Sequence, residues 1–379
     1  MNNPRKYLYG RCTLSIGAER HKDVHCYLDL DTQRFICEVE QLHGFGAFHA
    51  TSLDMSYSVS EIDLWGPGTR LKAARIPALI PMSIGGGSWS VTQTPLRHTL
   101  GLHPQVGHIS FVTNEPILFE LNDEDDEVLL KPGLDTTGPV DLPLNLRLSG
   151  TKESISILGK TDIDLKDLSI ATALAIGCPC RVIAQQMGKK LTLYLGDFKA
   201  QGVARPLFYR GSSVVASELQ NTGVSSMFGL TLEYLATLSK EEAASFRNSV
   251  YTFLQARSVP SLFELQLYAA FHFLEWFDGS RTLSPNVLVN RLGITRKEAD
   301  AINNIRNALA HNNKDLDDVV GAEASRLFLD SGLRAFKFRG RGVKLDFLNF
   351  LFSLLGEQLL RLIGYTGRAD TFLPLVGER

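Results

Sequence analysis

Apolar and polar residues alternate in short runs through the first half of the chain, and apolar residues recur every three or four positions through the second. The segments YLYGRCTLSI from Tyr7, VHCYLDL from Val24, RFICEVE from Arg34, HISFV from His108, ILFEL from Ile117, SISILG from Ser154 and LTLYLGDF from Leu191 read as strands. Period two keeps one set of side chains on one face of a pleated ribbon. Turn chemistry separates them at Gly66-Pro67-Gly68, Gly85-Gly86-Gly87 and Pro132-Gly133. The acidic run Asn122 to Glu127 and the following KPGLDTTGPVDLP suggest a solvated loop dividing this β-rich region. LKDLSIATALAIG, from Leu165 to Gly177, has helical spacing and is expected to pack on the later sheet.

After about Asn221 the period becomes helical. SSMFGLTLEYLATL, KEEAASFRNSVYTFLQAR, PSLFELQLYAAFHFLEWF, TRKEADAINNIRNALAH, DLDDVVGAEASRLFL and the Leu345 to Leu362 segment all place apolar residues at i, i+3 and i+4. Two open with capping boxes, Ser239 with Glu242 and Thr295 with Glu298, in which each side chain satisfies an orphan backbone donor. The expected fold is α+β, with a β-rich recognition or regulatory domain at residues 1–220 and an all-α bundle at 221–379.

Composition adds bounds rather than identity. At 379 residues, 44% hydrophobic and 21% charged, the chain has the length of two domains and the make-up of a globular protein. The net charge of −2 makes no case for a nucleic-acid partner. Residues 240–379 hold 18 Lys+Arg against 16 Asp+Glu, and the rest 21 against 25, a difference too small to name a partner. Five cysteines without a paired framework, and no recognisable secretory leader, fit reduced thiols and a cytoplasmic location. The most apolar stretch, from Phe347, is broken by Asn349, Glu357, Gln358 and Arg361, so no membrane span is expected.

The chemistry worth weighing lies in AINNIRNALAHNN, Ala301 to Asn313. Spacing alone says little, since Arg20 to His25 repeats the gap of Arg306 to His311 beside turns of the β-rich half. Context says more. On a helix begun by Thr295, Ile302, Ile305 and Leu309 form one apolar stripe. Asp300, Asn303, Asn304, Asn307 and His311 gather on the opposite face, with Arg306 at its edge and Ala310 within it. An amide-rich face with a small residue suits an interface more than open water. The plain alternative is a helix terminus, with His311 favoured by the negative end of the dipole and Arg306 in a surface ion pair.

In the residues Arg306, Asn307 and His311 of RNALAH, at the end of a bundle helix, the chain resembles the HEPN superfamily, whose ribonucleases carry Arg, a polar residue, a variable stretch and His. The likeness spans roughly the last 140 to 160 residues. The pairing of a β-rich half with such a bundle is also similar to anti-phage nucleases of the ApeA type. The resemblance implies a homodimer with two motifs facing across a composite cleft, and metal-free endoribonuclease chemistry without a cofactor. The RNA 2′-hydroxyl would attack its own phosphodiester. His311 would move the proton, Arg306 would bind the phosphate, and Asn307 would position either. Glu275, in FHFLEWFDG, is the carboxylate expected to orient Arg306. The setting so implied is antiviral defence or growth arrest, with a trigger ligand or phage protein at the N-terminal domain. The rival expectation is a non-catalytic HEPN module that dimerises or binds a nucleotide, with the β domain as ligand sensor.

Other features read more plainly. RAFKFRGRGVK interleaves Arg334, Lys337, Arg339 and Arg341 with Phe336 and Phe338, which suits single-stranded RNA and equally a hairpin with one buried face. Cys12, His21, His25, Cys26, Cys37 and His43 lack the paired spacing of a structural zinc site, so buried strand cysteines are expected. Cys178-Pro179-Cys180 reads as a turn, Ile84 to Trp89 as a loop without phosphate-binding spacing, and His272 as a satisfied helix histidine.

Overall fold

The computed structural model describes residues 7–16, 19–29, 34–39, 57–66, 69–85, 107–113, 116–131, 133, 138–151, 154–160, 162–194, 207, 216–258, 263–279, 284–311, 318–323 and 343–367. Strands occupy the N-terminal half and helices the C-terminal half. The chain forms two compact units that interleave in sequence. One comprises Met1–Lys131, Ser156–Lys160 and Val182–Ala200, and the other Pro132–Ile155, Thr161–Arg181 and Gln201–Arg379.

In the first unit, β1 (Tyr7–Ile16), β2 (Glu19–Asp29), β3 (Arg34–Val39), β4 (Tyr57–Gly66), β5 (Thr69–Gly85) and β6 (Gly107–Thr113) pair in the order β4-β1-β2-β3-β6-β5, and β5 pairs β4 again. Every pairing is antiparallel, so six strands close into a ring without a free edge. Alternation along the strands turns Cys12, Leu14, Val24, Cys26, Leu28, Phe35, Cys37, Val59, Ile62 and Leu64 into one core. Strands β4 and β5 are not announced by the sequence pattern. Pro77 and Pro81 obscure β5, and the structure accommodates them beside register shifts, near Tyr57/Val59 opposite β4 and at Pro81/Ser83 opposite β6.

The acidic run is not a loop. It lies inside β7 (Ile117–Lys131), which pairs with β5, β10 (Ile155–Leu158) and β11 (Arg181–Leu193). Its charges find partners that spacing does not reveal. Asp126 Oδ1 accepts the Gly188 N–H at 3.1 Å, Glu124 pairs with Lys189 at 3.4 Å, and Glu127 accepts from the Ser156 hydroxyl. Val128 and Leu130 then supply the buried face of the same strand.

The second unit begins with the hairpin of β8 (Val140–Leu142) and β9 (Leu146–Gly150), joined by a short 3-10 turn in which Leu144 and Asn145 have φ of 63° and 58°. Its helices are α1 (Leu165–Ile176), α2 (Ala216–Ala236), α3 (Lys240–Ser258), α4 (Phe263–Asp278), α5 (Pro285–Leu292), α6 (Arg296–His311) and α7 (Val343–Leu362), and residues 318–323 are also helical. Helix α1, expected against the sheet, packs instead on α2 and α3. Asp164 caps its start through the Lys166 N–H, Gly177 at φ 68° ends it, and Arg247 of α3 reaches Asp167 at 2.5 Å. Eight residues of α1 from Leu168 to Ile176 are buried, and its charged side chains Lys166 and Asp167 stand in the first turn.

Aromatic rings fill the middle of this bundle. Phe253 of α3 stacks on Phe273 of α4 with centroids 4.7 Å apart and meets Phe352 of α7 edge-on at 5.8 Å. Helix α4 therefore touches α3, α7 and α6, a central position. No helix among the described residues is long and apolar enough to cross a membrane.

Candidate active site on helices α4 and α6

Helix α6 starts where the local sequence dictates. The Thr295 N–H donates to Glu298 Oε2 at 2.7 Å, and the Glu298 N–H donates to Thr295 Oγ1 at 3.3 Å. This reciprocal box fixes the helix phase. That phase buries Ala299, Ala301, Ile302 and Ile305, and leaves Asp300, Asn303, Arg306, Asn307 and Leu309 half-buried and Asn304 and Ala310 exposed.

Helix α4 holds the facing carboxylate. Trp276, the residue after Glu275, is pinned by its indole N–H to Ser245 Oγ at 2.9 Å and by its ring against Phe246 and Phe273. Glu275 is thereby aimed at α6. Its Oε1 accepts from Arg306 Nε at 3.0 Å and from NH2 at 2.5 Å. The two side chains keep 22% and 31% of their surface exposed, so the pair stands at the rim of the bundle within reach of a solute.

The structure thus brings together Arg306 and Glu275, from segments 31 residues apart. Asn307 follows Arg306 on α6, half-buried. His311 is the last helical residue of α6, and its side chain lies outside the described residues. Arg334, Lys337, Arg339 and Arg341 also lie outside the described residues. Asn304 Nδ2 donates to Glu323 Oε1 at 2.9 Å, tying the polar face of α6 to the 318–323 helical segment. His272, read from the sequence as a satisfied helix histidine, is exposed on α4 one turn before Glu275. The sequence did hold a signal for it, the three-residue spacing in HFLE.

The cysteines behave as buried strand and turn residues. Cys12 and Cys37 approach to 3.7 Å between sulfurs in the core of the first unit. Hydrogen bonds from Cys26 and from Cys37 hold Cys12 down at about 5, while burial pushes Cys37 well up. In the second unit burial pushes Cys178 and Cys180 up, and the Cys180 thiol donates to the Ser169 carbonyl at 3.1 Å. No group of three or more His, Cys, Asp or Glu among the described residues is arranged to hold a metal ion.

No protein-family model matches the chain, and neither a curated protein nor a solved structure does. Chemistry must therefore be inferred from the site itself.

Proposed function

We propose that the chain is an endoribonuclease of the HEPN type that cleaves RNA without metal, in a cleft shared by two copies. The observation that carries this reading is the Arg306–Glu275 pair, in which a carboxylate from another helix holds a guanidinium in one plane at an accessible rim. A pre-set guanidinium binds a phosphodiester and stabilises the charge that builds on it during attack. His311 removes the 2′-hydroxyl proton, the 2′-oxygen attacks phosphorus, and the 5′-oxygen departs to leave a 2′,3′-cyclic phosphate.

Helix geometry favours the shared cleft. Five residues at about 100° each set His311 roughly 140° around α6 from Arg306, so one helix alone does not aim both at a single phosphate. Two copies of α6 related by a two-fold axis would pair the Arg306 of one with the His311 of the other. Exposed Ala310, between them in sequence, lets the helices approach. The basic and aromatic segment of Arg334, Lys337, Arg339 and Arg341 then guides the strand, and the β-rich unit receives the trigger in antiviral defence or growth arrest.

Mixed RNAs incubated with the protein in excess chelator provide the test: cleavage that persists supports the proposal, and intact RNA over long incubation sinks it. The second reading is a bundle that only dimerises or binds a nucleotide, in which Arg306–Glu275 serves structure as Arg247–Asp167 does. That pair has the same chemistry and similar exposure, 23% and 27%, yet simply joins α3 to α1.

A further inference from the structure

Leu265, Tyr268, His272 and Glu275 follow one another on α4 at steps of three, four and three residues, which stacks them along one face. Leu265 and Tyr268 are 60% and 69% exposed, His272 is exposed as well, and Glu275 closes the row in its ion pair with Arg306. Residues three apart on a helix have Cβ atoms roughly 5–6 Å from each other. His272 is thus the helical neighbour of Glu275, the residue that holds Arg306.

Transphosphorylation of RNA moves two protons, one off the 2′-hydroxyl and one onto the departing 5′-oxygen. His311 accounts for one. Glu275 is committed as an acceptor to Arg306, and an ionised carboxylate has no proton to give. Arg306 is a permanent cation and does not exchange protons in this range. Helices α4 and α6 carry one histidine each, and imidazole is the side chain that serves as acid and base near neutral pH.

Resting on the ribonuclease reading, we propose that His272 is the second catalytic residue, the acid that protonates the leaving group. The 2′-oxygen–phosphorus bond forms as His311 takes the hydroxyl proton, and the phosphorus–5′-oxygen bond breaks as the His272 imidazolium delivers its proton to that oxygen. Exchange with water then returns both rings to their starting states, so no other reactant is consumed.

The test uses the full chain, His272→Asn, and two substrates: ordinary RNA and the same RNA with sulfur replacing the bridging 5′-oxygen at the cut site. A thiolate leaves without a proton, so only a missing acid is rescued. The variant should lose about a hundred-fold or more on ordinary RNA and return to near the wild-type rate on the sulfur substrate. His311→Ala should be slow on both. Matching far-UV circular dichroism checks the fold of each variant. An unchanged rate in His272→Asn, as expected if a second copy's His311 is the acid, overturns the proposal. So does a loss that sulfur fails to rescue. Wild-type protein that cuts neither substrate removes the ribonuclease reading along with it.

Discussion

One carboxylate oxygen of Glu275 accepts both the Nε and an NH2 hydrogen of Arg306, at 3.0 and 2.5 Å, and so locks the plane of the guanidinium. A longer reach or a lost charge on either side changes that plane before it changes the fold.

Glu275→Gln should therefore slow RNA cleavage by roughly ten- to a hundred-fold, the worth of one hydrogen bond to a charged group. Both side chains are partly solvated, so the stability lost should stay near 1 kcal/mol. Arg306→Lys should impair turnover more than RNA affinity, because a point charge does not reproduce a fork. Steady-state kinetics beside a thermal melt separate the two effects, and a large drop in melting temperature with normal kinetics would assign the pair to structure alone.

His311→Ala should lower cleavage by about a hundred-fold or more while RNA binding stays close to wild type. Wild-type products should end in 2′,3′-cyclic phosphate, and deoxyribose at the cut position should block the reaction. Efficient cutting of that deoxy substrate rules out attack by the 2′-hydroxyl.

Ala310 is exposed on α6 at the centre of the proposed contact. Ala310→Glu should shift sedimentation at micromolar concentration from dimer to monomer and abolish cleavage together. A wild-type monomer that remains active at that concentration would show the site is complete in one copy.

The caps make predictions about stability. Thr295→Ala should cost about 1 kcal/mol by removing the hydroxyl that receives the Glu298 N–H, and fraying of α6 should carry Arg306 with it. At the other box, the Ser239 backbone N–H, and then its side chain, hold the Glu242 carboxyl below its ordinary range. A depressed carboxylate contributes stability that is present above the unfolded value and is lost as pH falls through the folded one. Denaturant melts between neutral and acidic pH should show that loss, Ser239→Ala, which keeps the backbone N–H, should lessen it in part, and Glu242→Gln should flatten it.

All five cysteines are buried and unbridged. Although Cys12 is held at about 5, it is 2% exposed, so its thiolate is shielded from reagents. Ellman's reagent at pH 8 should label no thiol rapidly in the native protein and all five after guanidinium. Immediate release of one equivalent would mean that the ring of strands opens around a cysteine.

Features set within four residues were legible in the sequence: most strands of the β-rich half, the helical period after Asn221, and both capping boxes with their reciprocal hydrogen bonds. Side-chain period and cap chemistry are local properties, so they survive without knowledge of what lies across the fold. The family resemblance names Glu275 as the carboxylate to orient Arg306, but neither segment by itself determines that the two side chains meet.

Tertiary structure alone decided the rest. The acidic stretch of β7 became a strand because Gly188, Lys189 and Ser156 come from distant segments to meet Asp126, Glu124 and Glu127. Helix α1 packs on α2 and α3, where eight of its residues are buried. Prolines hid β5, which the ring nevertheless needs to join β4 to β6. His272 reads in the sequence as an ordinary satisfied helix histidine, and packing leaves it exposed one helical turn before Glu275. Periodicity records how a segment pairs with itself. Which carboxylate reaches which guanidinium depends on how helices remote in sequence pack, and for Glu275 and Arg306 that is the contact of α4 with α6.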